Sequence, residues 1–484
     1  MRPKFNLRLP LSYTAAVVTT IITDVTDLHS QPTSPVISRA TFTTNGLALS
    51  WSGESSNTAY TVQFQSSLIS GAWQNASMRY RWPWPFTNWS DAPLTLRGPR
   101  FYRVMAETLP LPERGRLLTN SIVGQLSTNQ VRSVMLDLGA SGFVSPRFPV
   151  TLLRFTYETA DPFGLSIKAS ALLVFPQGIT DRFPLVGVQH GTTVLKNSIP
   201  SQSSQSASRE VGIAFGTLGY VAVVADNLGL GDSPGYQAHS HSKSEATCIV
   251  DALRAARTLC ASNQVVLNGQ LFLFGYSQGG HSTMSTHREL ETFNTNEFTV
   301  TASAPSAGAY DLGGVTVEGI LFKPSYPNPW YFPILLASYL PIYQLGDTLE
   351  ELLAEPYRRT LPPLLDGTHD SDVLASTMPT DIFKILQTDF QADFRTNVNN
   401  SLRRALSDNN VYNWTPQAPI KIFHCRGDRD VIFANAEVAY QSFTNRGACC
   451  VEVVDPGAPS QLDHGPCYIP SLRGAMAWFQ QLKQ

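Results

Sequence analysis

The stretch Leu271–Gly280, with the sequence LFLFGYSQGG, contains the most informative pattern of the chain. Four apolar residues precede a Gly-x-Ser-x-Gly motif, and the residues after it can form a helix. A strand, a sharp turn and a helix in this order form a nucleophile elbow, which exposes a serine hydroxyl above a parallel sheet. Glycine is expected at Gly275 and Gly279, because a side chain there would collide with the neighbouring strand or helix. The motif alone also occurs by chance, but this context predicts that Ser277 is a catalytic nucleophile.

Strands alternate with helices on both sides of this motif, and such alternation predicts a mainly parallel sheet with helices on both faces. Ser242 and Glu245 form a capping-box pattern at the start of one predicted helix. The rhythm breaks at about 314–414, which predicts a helical cap insertion over the active site. The strands predicted from apolar runs are 165–175, 184–188, 220–225, 271–274, 298–302 and 420–424, and a C-terminal helix ends the chain.

A serine hydroxyl is a poor nucleophile unless a histidine, oriented by a carboxylate, accepts its proton. In this class of fold the chain order is serine, acid, histidine. Asp428 and Asp430 both follow the predicted strand at 420–424. We prefer Asp430, which directly precedes an apolar run, and we interpret Asp428 as a turn former that bonds its own backbone. Asp428 remains the alternative acid. His464 is the only histidine after both acids, and it is the predicted base.

The negative oxygen that forms during attack on a carbonyl needs preorganised hydrogen-bond donors. One expected donor is the backbone N–H of Gln278, directly after the nucleophile. The other is the N–H of Thr192, which lies in a glycine turn after an early strand, unless that turn is only flexible. His239 and His241 could suggest a metal pair, but further ligands at helical or strand spacing are missing from the sequence around them. No metal or cofactor is therefore expected.

Five segments stand in an informative order: HGT at 190–192, DNLGLGDS at 226–233, GYSQGG at 275–280, PSAGAYDL at 305–312 and NWTP at 413–416. Together they resemble the bacterial secretory lipases, a group of α/β-hydrolases, over roughly residues 115–484. The resemblance implies an α/β-hydrolase fold, hydrolysis of carboxylic esters without metal or cofactor, and a triad of Ser277, Asp430 and His464. Asn227 stands where that group often has tyrosine, and Gln237-Ala238 stands where it often has a His-Pro pair. These departures leave the substrate size open.

A chain of 484 residues is long enough for two or three domains. Alternating apolar residues such as Leu47, Leu49 and Trp51 predict a small all-β sandwich near the N-terminus. This segment resembles the fibronectin-type-III-like or immunoglobulin-like modules of exported bacterial enzymes. The aromatic cluster from Tyr80 to Trp89 either closes that unit's core or docks it on the larger domain, which together we favour, or forms a flat binding platform for a sugar or polymer. The predicted division is a possible leader at 1–30, a β-sandwich domain at 31–108, a linker at 109–116 and a catalytic domain at 117–484.

The composition narrows the expected partners and compartment. The net charge is −2, from 35 basic and 37 acidic residues without a basic stripe, so nucleic acid is not expected to bind. Basic residues before the apolar stretch Leu9–Ile22 are typical of an export signal, although a frayed tail is the alternative. No apolar run reaches the roughly 18 residues of a membrane span. Export to the periplasm or medium would permit disulfides among the six cysteines, and the cluster Cys449–Cys467 could hold one. The sequence does not assign the connectivity, and buried free thiols are an equal alternative.

We therefore expect an exported carboxylesterase or lipase that cleaves a small-molecule, lipid or polymer ester through an acyl-enzyme on Ser277. One alternative is a serine peptidase of the same fold, which would need an acidic pocket for a free amino terminus. Another is a surface- or polymer-binding protein with a vestigial hydrolase domain. The order of Ser277, acid and His464 favours the hydrolase, whereas acyl chain length, alcohol preference and oligomeric state are left open.

Overall fold

The computed structural model describes residues 35–43, 46–52, 58–65, 67, 69, 73–75, 88–90, 101–108, 113–179, 181–398 and 400–484. The chain divides into two compact units, Met1–Leu111 and Pro112–Gln484. The possible leader at 1–30, the aromatic residues at 80–87 and the first half of the predicted linker at 109–116 lie outside the described residues.

The N-terminal unit contains short antiparallel strands. One sheet has the order β1-β2-β5 and the other β4-β3-β6. Leu47, Leu49 and Trp51 alternate along β2 and are buried with Tyr60 and Val62 of β3, so the period-two pattern marks the buried face of each strand. The likeness of this unit to fibronectin or immunoglobulin modules stays a prediction. The strands are β1 (Ile37–Thr43), β2 (Gly46–Trp51), β3 (Thr58–Gln65), β4 (Gln74–Asn75), β5 (Asn88–Ser90) and β6 (Phe101–Thr108).

The larger unit is built on a mixed sheet that has nine strands within the described residues, in the order β15-β14-β13-β12-β10-β11-β9-β8-β7. The strands β10 to β15 pair in parallel, and β9, β8 and β7 extend the sheet by antiparallel pairs. The predicted mainly parallel sheet is thus confirmed, although β7, β8 and β15 were not predicted. The strands are β7 (Leu117–Leu126), β8 (Val150–Ala160), β9 (Ser166–Pro176), β10 (Arg182–Gln189), β11 (Val221–Ala225), β12 (Val266–Tyr276), β13 (Val300–Ser306), β14 (Ile420–Phe423) and β15 (Val451–Val454).

Helices cover both faces of this sheet, as the alternation along β14 illustrates. Phe423 packs in a core with Phe479 of the last helix, whereas Ile422, directly before it, packs with Met284 and Phe443. Successive residues of a strand point to opposite faces, so these two clusters lie on the two sides of the sheet. The helices around the sheet are α1 (Thr128–Asp137), α2 (Ala207–Thr217), α3 (Ser242–Ser262), α4 (Gln278–Phe293), α10 (Ala434–Asn445) and α11 (His464–Leu482).

A helical insertion lies between β13 and β14, where the strand–helix rhythm of the sequence breaks. It has its own buried apolar core, to which Leu336, Leu353 and Phe394 contribute. The insertion contains a π-helix at Val317–Leu321 and the helices α5 (Tyr331–Tyr343), α6 (Tyr357–Thr360), α7 (Ser371–Thr377), α8 (Thr388–Thr396) and α9 (Ser401–Asp408). No helix within the described ranges has the length and apolarity that crossing a membrane requires.

Candidate active site

A sharp turn joins β12 to α4 at Ser277. Its backbone is left-handed, with φ 62° and ψ −123°, which is a costly conformation for a residue with a side chain. A Cβ built at Gly275 would overlap the backbone oxygen of Gly279, and one at Gly279 would overlap that of Gln189. Both positions therefore require glycine for close approach, and the predicted strand–turn–helix geometry is confirmed.

His464 lies next to this turn, at the first position of α11 rather than in the loop before it. Its Nε2 is 2.9 Å from the Oγ of Ser277. The hydroxyl of Tyr276 donates to the backbone oxygen of His464 at 2.6 Å, and the carboxylate of Asp463 accepts the backbone N–H of His464 at 2.9 Å. The residue before the serine thus helps to hold the histidine, a contact that the sequence analysis missed.

The carboxylate that faces His464 belongs to Asp428, which corrects the preference for Asp430. The Oδ2 atom of Asp428 is 2.7 Å from His464 Nδ1. Its Oδ1 atom accepts the backbone N–H groups of Asp430 and Val431 at 3.0 and 2.8 Å. Asp428 is therefore a turn former, as predicted, and it also bonds the imidazole, because a carboxylate has two oxygens and each takes one of these roles.

Asp430 points elsewhere although it is only two residues away. Its Oδ2 accepts a hydrogen bond from Asn328 Nδ2 at 2.6 Å, and its backbone oxygen accepts from Tyr326 at 2.9 Å. Burial raises the pKa of Asp430, as does the negative charge of Asp428, against a smaller lowering by His464 and Asn328. The side chain lies at the wall of the adjoining cavity.

A second imidazole, that of His424, contacts the same oxygen of Asp428 as His464 does. His424 is buried at the end of β14, with Nε2 2.7 Å from the carbonyl oxygen of Val431 and 3.3 Å from Asp428 Oδ2. Both neighbours accept hydrogen bonds, so Nε2 carries the proton. Burial alone would raise the pKa of Asp428, but the bonds from His424 and His464 outweigh it and bring the pKa to about 2. The sequence pattern contained no signal for this role of His424.

The protonation of His464 depends on the same carboxylates. Burial alone would lower the pKa of His464, but its hydrogen bond to Asp428 and the negative charge of that residue outweigh burial and raise the pKa overall. The nearby charges of Asp430 and Asp463 act in the same direction. Protonated His464 is thus stabilised by a negative surrounding, as a general base requires when it accepts a proton during reaction.

A disulfide between Cys425 and Cys467 joins the two segments that carry the acid and the histidine. Cys425 precedes Asp428 by three residues, and Cys467 follows His464 by three. The possible disulfide within the cluster 449–467 is not formed, because Cys467 pairs with a cysteine outside that cluster, and Cys449 and Cys450 are exposed free thiols. Cys248 and Cys260 are buried free thiols, which was the alternative.

The two expected oxyanion donors lie beside Ser277. Thr192 and Gln278 both line the cavity into which the serine opens. Within the described part of the chain, neither backbone N–H has a hydrogen-bond acceptor. Two free N–H groups at the base of a cavity can bind a negatively charged oxygen.

The cavity has a volume of about 100 Å³ and is walled mainly by apolar side chains. Ser277, Gln278 and His281 are among the residues that line it. His239 also lines it, whereas His241 is bonded to Ser244 with 2.7 Å between Nδ1 and Oγ. The insertion contributes one wall, formed by Ile320, Leu321, Tyr326, Phe332, Leu335 and Ile382.

Comparison with known proteins finds similar solved structures but no matching sequence family. No protein-family model and no curated protein matches the sequence. Among solved structures, a hydrolase from Legionella pneumophila is 25% identical, with a TM-score of 0.70, over 76% of this chain and 98% of its own. The rice cell wall degrading esterase LipA from Xanthomonas oryzae is 29% identical, with a TM-score of 0.64, over 75% of this chain and 95% of its own.

Candida antarctica lipase A is a more distant structural neighbour. It is 15% identical, with a TM-score of 0.56, over 76% of this chain and 82% of its own, and so bears on the fold alone. These similar solved structures are thus a hydrolase, an esterase and a lipase. Taken with the mixed sheet and the turn at Ser277, these matches show that the larger unit has the α/β-hydrolase fold.

Proposed function

We propose that the chain is a serine hydrolase of carboxylic esters that works through an acyl-enzyme on Ser277. The observation that carries the proposal is the continuous hydrogen-bonded chain from Ser277 Oγ to His464 Nε2, at 2.9 Å, and from His464 Nδ1 to Asp428 Oδ2, at 2.7 Å. This is the arrangement in which an imidazole can accept the serine proton while a carboxylate fixes its tautomer.

In the first half of the proposed reaction, Ser277 Oγ attacks the ester carbonyl and its proton passes to His464 Nε2. The carbonyl oxygen becomes negative and is stabilised by the N–H groups of Thr192 and Gln278. The tetrahedral intermediate then collapses, the bond between carbonyl carbon and alcohol oxygen breaks, and His464 gives its proton to the leaving alcohol. An acyl group remains on the serine.

In the second half, water attacks the acyl-enzyme and His464 accepts the proton of that water. The second tetrahedral intermediate collapses, the bond between the carbonyl carbon and Ser277 Oγ breaks, and the carboxylic acid leaves while His464 gives its proton to Ser277 Oγ. Asp428 stays ionised throughout, since its pKa of about 2 lies far below neutral pH. Its negative charge stabilises the imidazolium form of His464 in both halves.

A short acyl group is the substrate class that the cavity favours. Its volume of about 100 Å³ is smaller than that of the roughly 150 Å³ apolar cavity that holds a benzene molecule. The apolar wall from the insertion supports binding of an aliphatic chain, and we propose that the insertion acts as a cap over the site. Hydrolysis of p-nitrophenyl esters from two to sixteen carbons should peak at the short end, with kcat/KM falling steeply beyond about six carbons.

The relatives in structure support ester hydrolysis as the reaction class, because LipA is an esterase and shares 29% identity with this chain. The disulfide between Cys425 and Cys467 supports an oxidising compartment, so we propose a secreted or periplasmic protein. Fractionation of the source cells checks the location: recovery of the protein only from the cytosol would contradict export.

The decisive experiment replaces the nucleophile. Ser277→Ala is expected to lower kcat by at least about 10³-fold and to abolish labelling by a fluorophosphonate probe, because both need the hydroxyl. Ser285→Ala is the control: it replaces a serine within α4 by alanine and should leave labelling intact. Ester turnover that survives in Ser277→Ala, or peptide cleavage without ester cleavage in the unmodified chain, would reject the proposal.

A further inference from the structure

A buried carboxylate lies close to the proposed oxyanion site. It takes no part in the hydrogen bonds that connect Ser277, His464 and Asp428. Glu245, in the first turns of α3, is 2% exposed. It does not cap the helix with Ser242 as the sequence pattern suggested, since the residue before α3 is His241 and makes no side-chain cap. Its Oε1 accepts the N–H of Ser240 at 3.1 Å and Gln278 Nε2 at 2.8 Å. Burial of a charged group costs free energy, so a carboxylate is retained there only if its hydrogen bonds and a charged partner offset that cost.

The partner of its other oxygen is a buried histidine. His281 Nδ1 lies 2.7 Å from Glu245 Oε2, and His281 Nε2 lies 2.9 Å from the carbonyl oxygen of Asn409. A carbonyl oxygen and an ionised carboxylate only accept hydrogen bonds, so both ring nitrogens of His281 face acceptors and are placed to donate. Although burial would raise the pKa of Glu245, the charge and hydrogen bond of His281 outweigh it, which keeps the carboxylate ionised.

This pair contacts two backbone segments that line the cavity. Gln278 and His281 belong to the first turn of α4, and Ser240 lies just before α3. Ser240 and Ser277 both have left-handed backbones, with φ 51° and 62°. Residues with side chains persist in that conformation only where surrounding contacts enforce it. The hydrogen bonds of Glu245 reach Ser240 directly, and they reach the turn at Ser277 through the side chain of Gln278.

We propose that the Glu245–His281 ion pair positions the oxyanion donor: by holding the Gln278 side chain, it keeps the Gln278 backbone N–H directed at the oxygen of the tetrahedral intermediate. This inference rests on the proposed ester hydrolysis. Glu245 and His281 act through Gln278 and are positioning residues. Their effect belongs to the transition state, because the full negative charge on the oxygen develops only there.

Three variants and one control test the inference. Glu245→Leu removes the charge and all the bonds at similar size. Glu245→Gln can keep all of these hydrogen bonds. Its amide oxygen can accept from Ser240 and Gln278, while its amide nitrogen donates to a neutral His281. Gln278→Met removes the hydrogen bond from Gln278 Nε2 to Glu245 and leaves Glu245 and His281 in contact. Glu289→Gln is the matched control, a buried glutamate on α4 outside the site.

The expected effect is on kcat and on binding of a transition-state analogue. Glu245→Leu should lower kcat by about 10- to 100-fold and Gln278→Met by about 10-fold, each with KM changed by less than about threefold. The inhibition constant of butylboronic acid, which forms a tetrahedral anion on the serine, should rise by the same factor as kcat falls. Glu245→Gln should recover most of the activity lost in Glu245→Leu, and Glu289→Gln should match the unmodified chain.

Contrary outcomes separate this inference from the proposed function. If kcat and boronate affinity stay at the unmodified level in Gln278→Met, or the loss appears only in KM, the ion pair does not position the donor. If Glu245→Leu does not fold, Gln278→Met and Glu245→Gln still decide the question. An unmodified chain that cleaves no ester and takes no fluorophosphonate label rejects the proposed function, and this inference with it.

Discussion

Asp428 performs two tasks with one side chain. One oxygen holds the turn after β14 through the N–H groups of Asp430 and Val431, and the other faces His464. The nearby Asp430 instead bonds Asn328. Two carboxylates two residues apart therefore have different environments, and their substitution should have different consequences.

Substitution of the two acids by asparagine should separate their contributions. Asp428→Asn is expected to lower kcat by about 10³- to 10⁴-fold, because the amide favours the wrong tautomer of His464. Asp430→Asn leaves the hydrogen bonds among Ser277, His464 and Asp428 in place and should lower kcat by less than about tenfold. Steady-state kinetics on a short-chain ester measures both, and the reverse order of effects would restore Asp430 as the triad acid.

The pH profile reports the charge around His464. The base must be neutral, so kcat/KM falls as the pH drops through the pKa of His464, which lies above the ordinary histidine value. Asp430→Asn removes a negative charge that stabilises the imidazolium, which lowers that pKa. The acid limb of the profile should then move to lower pH. Asp389→Asn, an exposed carboxylate of the insertion, serves as control, and an unmoved limb in Asp430→Asn would contradict the electrostatic argument.

Three elements deliver the reacting groups to one edge of the sheet. The strands β12 and β14 run in the same direction, with β13 between them, so their carboxyl ends bring Ser277 and Asp428 to the same side. The start of α11 carries His464 to that edge. The disulfide between Cys425 and Cys467 then links the segment after β14 to the first turn of α11.

Removal of this disulfide should affect both stability and rate. The two cysteines are 42 residues apart, and replacement of both by serine is expected to lower the free energy of unfolding by about 2–4 kcal/mol. Below the melting temperature, kcat should also fall, because the acid and the histidine lose a covalent link between their segments. Denaturant unfolding and ester kinetics measure the two effects. Replacement of both Cys449 and Cys450 by serine is the matched control. An equal loss of stability and kcat in that control would show that the effect is not specific to the disulfide.

The whole chain consists of two compact units, and the proposed site belongs to one of them. The groups that define the site, from Thr192 to His464, lie within Pro112–Gln484. The N-terminal unit has its own small core around Leu49 and Tyr60. A unit with a separate core can fold independently of its neighbour.

A chain that begins at Pro112 should therefore retain hydrolysis of a small ester. We expect kcat/KM within about threefold of that of the full chain, because each proposed catalytic group is kept. Circular dichroism verifies folding, and the same assay on an insoluble polymeric ester compares the two chains on a large substrate. A folded shortened chain that has lost small-ester turnover would show that the N-terminal unit contributes to the site.

The local sequence pattern was sufficient to predict the mainly parallel sheet, the sharp turn at Ser277 and the position of the insertion. These features depend on short-range properties, namely apolar runs, glycine where backbones approach closely, and the length of a connection. The strands β7, β8 and β15 were missed: nearly every residue of β8 is buried, whereas most residues of β7 are exposed and none of β15 is buried. A strand without a regular change between buried and exposed residues has no alternation that separates it from a helix.

The choice between Asp428 and Asp430, the pairing of Cys425 with Cys467 and the roles of Glu245 and His424 were outside the reach of local pattern. Each depends on which distant group faces a side chain: His464 for Asp428, Asn328 for Asp430, and His281 for Glu245. Residues two positions apart on a turn have nearly the same local sequence but point in different directions. Packing of segments far apart in the chain sets these contacts, so the composition of any one segment does not encode them.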